Sequence, residues 1–506
     1  MISSISELIA RSAKTFKHKA FIRYLDSNKY ISFNQLEELK IKFNTYLNSL
    51  KVFNKDRVVV LMDNSPMLVI LFLIIPGCFR IFVPINPNAG EEEIKYIISL
   101  VKPKLLITNK TFSTRLKKFK IKKIIISKED FFIKKLLDLE SKKNILLDKK
   151  SIAQILFTSG STGNPKGVSI THSNIITNLL GLVERFKFKK NNPKFISVTP
   201  LYHNNGQFIP TLCPLLLGGE TFSIPPLQSL NNFFEIIEKY KINYTSAMAT
   251  HINYFNNYQK KRKVSHLKFI CVGGAKLDTL NHKKFEKKFG IRILCNYGLT
   301  ETASIASTEG LSRKYTRKGS VGKALYNNKI IIKKKKIEKF GEILIKGKNI
   351  FYEYYNNKTQ SKKKLKNKYL YTGDLGYFDN DGFLYIVDRL DNMINVSGEN
   401  IYPSEIERYT NNYRFISLSV AIPVINLITQ NSIVLIYESK NNKKINIDNI
   451  RKHLSTKISK FKIPKHYFST QEIGLPEIPK AANKKILRKK IELYFKDFIK
   501  KSKISL

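Results

Sequence analysis

The sequence predicts an α/β protein: a large N-terminal domain of parallel-type sheets with helices plus a small β-rich subdomain, and a small α+β C-terminal domain. Three observations carry this expectation. At 506 residues the chain exceeds the size at which one hydrophobic core stays single, so two or more domains are expected. Short apolar runs alternate with helix-period patterns along most of the chain, as strand–helix–strand units require. From about Gly341 the alternation gives way to short strands separated by Gly and Asp-Gly turns.

In chain order, Ile2, Ile5, Leu8 and Ile9 share one side of an opening helix. Its Glu7 argues against a transit peptide, and the segment lacks the apolar core and cleavage site of a secretory leader. Strands are predicted at 58–62, 104–108, 124–126, 195–198 and 269–272, and helices at 174–186 and 230–241. Met67 to Ile75 is apolar throughout, but nine residues closed by Pro76 and Gly77 are too few to span a bilayer, so the stretch reads as buried and no transmembrane segment is expected. After the Asn380-Asp381-Gly382 turn comes a strand over 383–387. Beyond Asp391 follow a helix from Ser404, strands near 417–422 and 432–437, a helix over 447–458 and a loop carrying Lys485. The predicted domains are therefore 1–390 and 391–506.

Composition bounds the function. A formal charge of +50 would ordinarily point to nucleic acid or an anionic membrane. Yet Lys and Arg make up 21 of the 116 residues from Asp391 onward against 89 of 506 overall, so position along the chain singles out no basic face or tail. The enriched Lys, Asn, Ile, Phe and Tyr share A/T-rich codons, so the charge reads as compositional drift, a reading that balanced base composition in the source genome would remove. No specific nucleic-acid partner is expected, and the runs 333–336 and 362–364 read as solvated loops and hairpin faces. The four cysteines, Cys78, Cys213, Cys271 and Cys295, lie far apart with no C-x-x-C pair, which disfavours zinc and disulfides and fits a reducing cytoplasm.

The most informative stretch is Thr158-Ser159-Gly160-Ser161-Thr162-Gly163-Asn164-Pro165-Lys166-Gly167, directly after the apolar run Ile155-Leu156-Phe157. Glycines let backbone approach an anion, successive N–H groups form a nest, hydroxyls add donors and Lys166 adds a point charge, so the loop suits phosphate. It is not a Walker loop, because Pro165 precedes the lysine and no Gly-Lys-Ser/Thr ending is present. Further motifs follow: Pro200-Leu201-Tyr202-His203, Gly273-Gly274-Ala275, Asn296-Tyr297-Gly298-Leu299-Thr300-Glu301, Gly341-Glu342-Ile343, Tyr371-Thr372-Gly373-Asp374, Asp388-Arg389, Ser397-Gly398-Glu399, and Pro479-Lys480 through Lys485.

In their order and spacing, over roughly residues 20 to 490, these segments resemble the ANL superfamily of adenylate-forming enzymes, which includes acyl-CoA synthetases, peptide-synthetase adenylation domains and firefly luciferase. The resemblance implies a mobile C-terminal domain hinged at Asp391, with the site between the domains. It implies ATP-dependent activation of a carboxylic acid to an acyl-adenylate, then transfer to the thiol of CoA, with ATP, Mg²⁺ and CoA as participants. It further implies that Thr158, Ser159, Gly160, Ser161, Thr162 and Lys166 embrace the β and γ phosphates, Thr300 bonds the α-phosphate and Glu301 binds Mg²⁺. Tyr297 would stack on adenine, with Gly273, Gly274 and Asn296 around it, while Asp374 and Arg389 would serve ribose and phosphate. Ser397 and Gly398 would flank the pantetheine tunnel.

Lys485 is the implied catalytic lysine of the first step. The family pattern Pro-Lys-Thr-x-x-Gly-Lys is altered here to Pro479-Lys480-Ala481-Ala482-Asn483-Lys484-Lys485, so Lys484 stays an alternative. His203 is expected to gate or wall the acyl pocket, with Met248, Gly273 and Gly298 beside it. No acidic residue lies between Pro200 and Gly219, which disfavours an α-amino acid substrate. A stand-alone adenylating ligase that loads a carrier-protein phosphopantetheine is the alternative to CoA.

Overall fold

The computed structural model describes all residues except 1, 26, 141–150, 159–164, 189–190, 225–229, 259, 261–263, 335–339, 393, 397–398, 427–429, 441–444, 459–461, 482–485 and 503–506. The chain divides into two units. The first takes Met1–Ile331, Leu344–Thr372 and Phe378–Tyr385; the second takes Ile332–Ile343, Gly373–Tyr377 and Ile386–Leu506.

Among the described residues the first unit holds two large sheets. One runs, edge to edge, through Lys323–Ala324, Ile305–Thr308, Arg292–Gly298, Phe269–Gly273, Tyr244–Met248, Lys194–Ser197, Glu220–Ser223, Ala20–Arg23 and Tyr30–Ser32. Its centre is parallel and its edges are antiparallel. The other runs through Glu353–Tyr354, Lys166–Thr171, Ile152–Thr158, Ile81–Pro84, Arg57–Leu61, Leu105–Asn109 and Lys123–Ile126. Here too the expected parallel pattern is modified at one side: Ile152–Thr158 and Lys166–Thr171 pair antiparallel. The short connection between them leaves no choice, since a parallel return needs a crossover of a dozen or more residues.

Helices cover these sheets. Pro66–Gly77 begins with Ser65 accepting from the Leu68 N–H (3.2 Å) and Pro66 at its first turn, and Met67 through Gly77 are all buried. A helix apolar on every side belongs in the interior, which confirms the reading of 67–75 as buried rather than spanning. One core cluster joins it to Ile5–Phe16, Phe33–Ser49 and His172–Phe186 and to residues of both sheets, so these helices form a layer shared by the sheets. Separate clusters cover the opposite faces. Each fully buried Leu, Ile, Val or Phe contributes about 1.5–3 kcal/mol relative to exposure. No helix of the described residues is long and apolar enough to cross a membrane.

In the second unit, Ile416–Asn426 and Gln430–Ser439 form an antiparallel pair, and His466–Ser469 adds in parallel. Pro403–Asn411 and Ile447–Ser455 supply the core on one face, and Arg488–Ser502 the core on the other. Arg488 bonds Glu407 (2.6 Å) and so ties the terminal helix to the helix Pro403–Asn411.

Two expectations are corrected. Residues 362–364 are not a loop or hairpin face but the end of a helix, Lys358–Lys364, started by the Asn357 side chain accepting from the Gln360 N–H (3.0 Å). Its three lysines stand at the C-terminal end, where cations favour the helix dipole. The predicted helix over 230–241 is shorter, Phe233–Tyr240.

Candidate functional site

Three parallel strands of the larger sheet end side by side at Met248, Gly273 and Gly298, the edge at which open α/β sheets bind ligands. The register pairs Met248 with Gly273 and Val272 with Cys295. Asn296 lies across this edge, its Nδ2 donating to the Cys271 sulfur at 3.1 Å. A Cβ on Gly273 would stand 2.2 Å from Asn296 Oδ1, so only glycine leaves that side chain its place. Burial pushes the Cys271 thiol up to about 12, which keeps it a neutral acceptor. Tyr297 is nearly buried on the same strand.

The chain then turns tightly. A Cβ on Gly298 would stand 1.8 Å from the Ser304 carbonyl oxygen, so that glycine serves the close backbone return. Thr300–Thr302 form a single 3₁₀ turn, held by the Leu299 N–H donating to Thr302 Oγ1 (2.9 Å). Thr300 and Glu301 are thereby set just beyond the strand end, 27 and 28 residues after Gly273 in sequence but following the strand that pairs with Gly273's own.

His203 reaches this edge from another connection. Asn64 clamps the preceding segment, donating to the Thr199 carbonyl and accepting from the Leu201 N–H, both at 2.9 Å. Ser246 Oγ donates to the Asn205 carbonyl at 2.8 Å, which pins the following turn to the strand Tyr244–Met248. The His203 ring sits 4.6 Å from that of Tyr202, and its Nε2 is shielded with no hydrogen-bond partner among the described residues. Burial lowers its pKa to about 4, so the ring is neutral near pH 7.

The phosphate-loop motif stands between Thr158 and Lys166, which face each other across the antiparallel pair. Lys166 Nζ lies 5.8 Å from the centroid of the Tyr354 ring and 3.5 Å from Gln360 Oε1. Tyr354 Oη donates to Glu301 Oε1 at 2.7 Å, and the Phe351 N–H donates to the Glu301 carbonyl at 2.8 Å. The segment 351–355 also pairs with the strand carrying Lys166. One tyrosine thus joins the lysine of the predicted phosphate loop to the carboxylate predicted to hold Mg²⁺. Tyr354 and Asn64 were missed in the sequence; a tyrosine-rich run at 352–355 was the only hint of the first.

A single carboxylate fits Mg²⁺, which is bound by one or two carboxylates together with substrate phosphates rather than by an all-protein cage. Among the described residues no three His, Cys, Asp or Glu side chains gather as a metal site.

Within the second unit, Arg389 Nη1 donates to Asp374 Oδ1 at 2.8 Å. Gly373, at φ 75° within the strand Tyr369–Phe378, gives its N–H to Glu342 Oε1 at 3.0 Å, so the Gly341-Glu342-Ile343 motif braces the backbone beside Asp374. Asp388 accepts from the Arg389 and Ser404 N–H groups and from Asn392 Nδ2, at 2.6, 3.0 and 3.0 Å. Asp391 is exposed, with Arg389 at 3.9 Å. An isolated bridge pairs Lys480 with Ile486, on either side of the lysine motif, and Lys480 itself lies 3.8 Å from Glu438. Ser159, Gly160, Ser161 and Thr162, Ser397 and Gly398, and Lys484 and Lys485 lie outside the described residues.

Known proteins resemble this chain in sequence and in fold. A long-chain-fatty-acid–CoA ligase of Bacillus subtilis is 25% identical over 96% of this chain and 94% of its own length. An oxalate–CoA ligase of Saccharomyces cerevisiae is 27% identical over 90% and 89%. The fold matches the solved o-succinylbenzoate CoA synthetase of Bacillus subtilis in complex with its acyl-adenylate intermediate, with a TM-score of 0.84 at 22% identity over 96% of this chain and 97% of that one. The profile of the AMP-binding enzyme family matches residues 9–355. The chain belongs to the AMP-binding enzyme family.

Proposed function

We propose that this protein is an AMP-forming acid–CoA ligase. In the first step a carboxylate oxygen of the substrate bonds to the α-phosphorus of ATP as the bond to the bridging oxygen breaks and pyrophosphate leaves. In the second, the CoA sulfur, having lost its proton, bonds to the acyl carbon and AMP leaves. The observation that carries this reading is the Lys166–Tyr354–Glu301 chain of contacts at the C-terminal edge of the sheet.

Displacement at phosphorus asks the protein chiefly to neutralise and orient charge. We assign Thr158, Lys166 and the loop between them to the β and γ phosphates, Thr300 to the α-phosphate and Glu301 to Mg²⁺, with Tyr354 holding that carboxylate in place. When bound, Mg²⁺ supplies neutralisation of the leaving pyrophosphate. Tyr297 and Asn296 take adenine, with Gly273 and Gly274 admitting it against the backbone. Asp374 and Arg389 take the ribose hydroxyls. The segment between Lys480 and Ile486 presents Lys485, or Lys484, to the reacting carboxylate. Ser397 and Gly398 border the thiol channel, and residues from Asp391 onward form the moving domain.

His203, neutral at working pH, walls the acyl pocket with Met248 and Gly298. The substrate is a carboxylic acid without an α-amino group, and the four free thiols fit a reducing cytoplasm. The test is acid-dependent ATP–pyrophosphate exchange across a panel of carboxylic acids, followed by thiol-dependent AMP release. Exchange with no acid sinks the proposal; release with an acyl carrier protein and not with CoA moves it to the carrier-loading reading.

A further inference from the structure

Basic charge is concentrated locally at more than one place along the chain, and one such stretch lies at a sheet edge. Residues 115–135 hold nine Lys or Arg and only two acids, a density more than twice that of the whole chain. Comparison of the C-terminal region with the whole chain averages this cluster away. The fold puts the stretch at the outer side of the smaller large sheet, whose last strand, Lys123–Ile126, is an edge strand.

This edge also exposes apolar side chains that ordinary folding would cover. Ile125 is 49% exposed and points away from the core between buried Ile124 and Ile126, while Phe131, in the first turn of the helix Glu129–Leu137, is 72% exposed. The two border a shallow groove of about 440 Å³ that Tyr46, Lys123, Lys128 and Lys135 complete. Lys128, Lys134 and Lys135 are exposed and have no carboxylate within 4.0 Å among the described residues, and the nearby Asp130 is already engaged by Lys29.

We propose that this face docks on the surface of a bilayer containing anionic phospholipid. Phe131 and Ile125 enter the headgroup boundary, and Lys128, Lys134 and Lys135 sit among the phosphates. Charge complementarity selects an anionic partner, and the kind of cation selects lipid over protein. Protein interfaces enrich Arg, Tyr and Trp at their centres and are depleted in Lys. A headgroup layer instead rewards flexible ammonium groups around protruding apolar side chains. The groove is shallow and flanked by lysines, a shape that suits a fluid surface.

The experiment is flotation of the full-length protein with phosphatidylcholine vesicles, with and without phosphatidylglycerol. Binding is expected only with phosphatidylglycerol, weakening as salt rises. Replacing Lys128, Lys134 and Lys135 together by Ala should weaken partitioning about a hundredfold, at about a fivefold loss for each lysine. Phe131→Ser should weaken it about tenfold, with pyrophosphate exchange unchanged in both variants as a check on folding. A control replaces the exposed Lys283, Lys284 and Lys287 on a different helix by Ala and should bind as the parent does. Equal loss in that control would mean that bulk charge alone drives adhesion and would overturn the proposal. So would equal binding to neutral vesicles, no binding at all, or retention of an acidic protein at physiological salt without vesicle binding.

Discussion

Removing one hydroxyl tests the heart of the proposed site. Tyr354 is 3% exposed, its ring packs near Phe351 (4.9 Å), and its Oη donates to Glu301 Oε1 at 2.7 Å. Tyr354→Phe keeps the ring, the packing and the aromatic face beneath Lys166, and deletes only that donor. A hydrogen bond to a charged group is worth about 1.5–3 kcal/mol when its loss leaves the partner buried. Glu301 is only partly buried, so water recovers some of this and about 1–2 kcal/mol is expected, a loss of roughly five- to thirtyfold. The assay is ATP–pyrophosphate exchange as a function of Mg²⁺ at saturating acid. The loss should appear mainly as a higher Mg²⁺ requirement, because a carboxylate without its tether holds a cation less well. Thermal unfolding measured in parallel separates positioning from stability. If Mg²⁺ dependence matches the parent while exchange and Tm both fall, Tyr354 is only a packing residue and the role given to Glu301 loses its structural support.

Other predictions follow from the same geometry. Glu301→Ala and Lys485→Ala should each abolish exchange without loss of folding; normal exchange in Lys485→Ala together with loss in Lys484→Ala would move the catalytic lysine by one position. Asp391→Pro, which fixes φ and removes an N–H, should keep pyrophosphate exchange and lose thioester formation from preformed acyl-adenylate, and single-turnover assays showing equal loss in both steps would make Asp391 merely structural. Burial raises Glu309 to about 6 although the Cys295 and Arg317 N–H groups donate to it, so the native state holds its proton more tightly than the unfolded chain does. Stability from this group is therefore fully present below about pH 4.5 and is lost as pH rises through 6, about 2 kcal/mol in all; denaturant unfolding of Glu309→Gln should lack that slope. Glu286 has the opposite sign: burial alone would raise it, but hydrogen bonds from His282, Lys318 and the Ile293 N–H hold it near 2, so Glu286→Gln should reduce the stability lost as pH falls from 4.5 towards 2.

What could be read from the chain was whatever a short window contains. A run of Ser, Thr and Gly after an apolar strand is local, and so are the Asn296–Glu301 turn and the all-apolar helix Pro66–Gly77. Tyr354 was illegible because its meaning depends on a carboxylate 53 residues earlier, brought to it by the pairing of Glu353–Tyr354 with Lys166–Thr171. Asn64 was illegible for the same reason: in sequence it sits in a polar Asp-Asn-Ser-Pro turn, and only the fold sets it against Thr199 and Leu201. The lysines misled in two ways. Three in a row at 362–364 read as a loop, although the Asn357 cap had already started a helix, and a chain rich in lysine everywhere hid a sheet edge where lysines surround exposed apolar groups. In each case a residue type carried little information and its neighbours in space carried most of it. The proposed chemistry is strongest where independent segments converge, and Glu301 is such a point: the turn after one sheet's strand fixes its backbone, while a strand of the other sheet fixes its carboxylate.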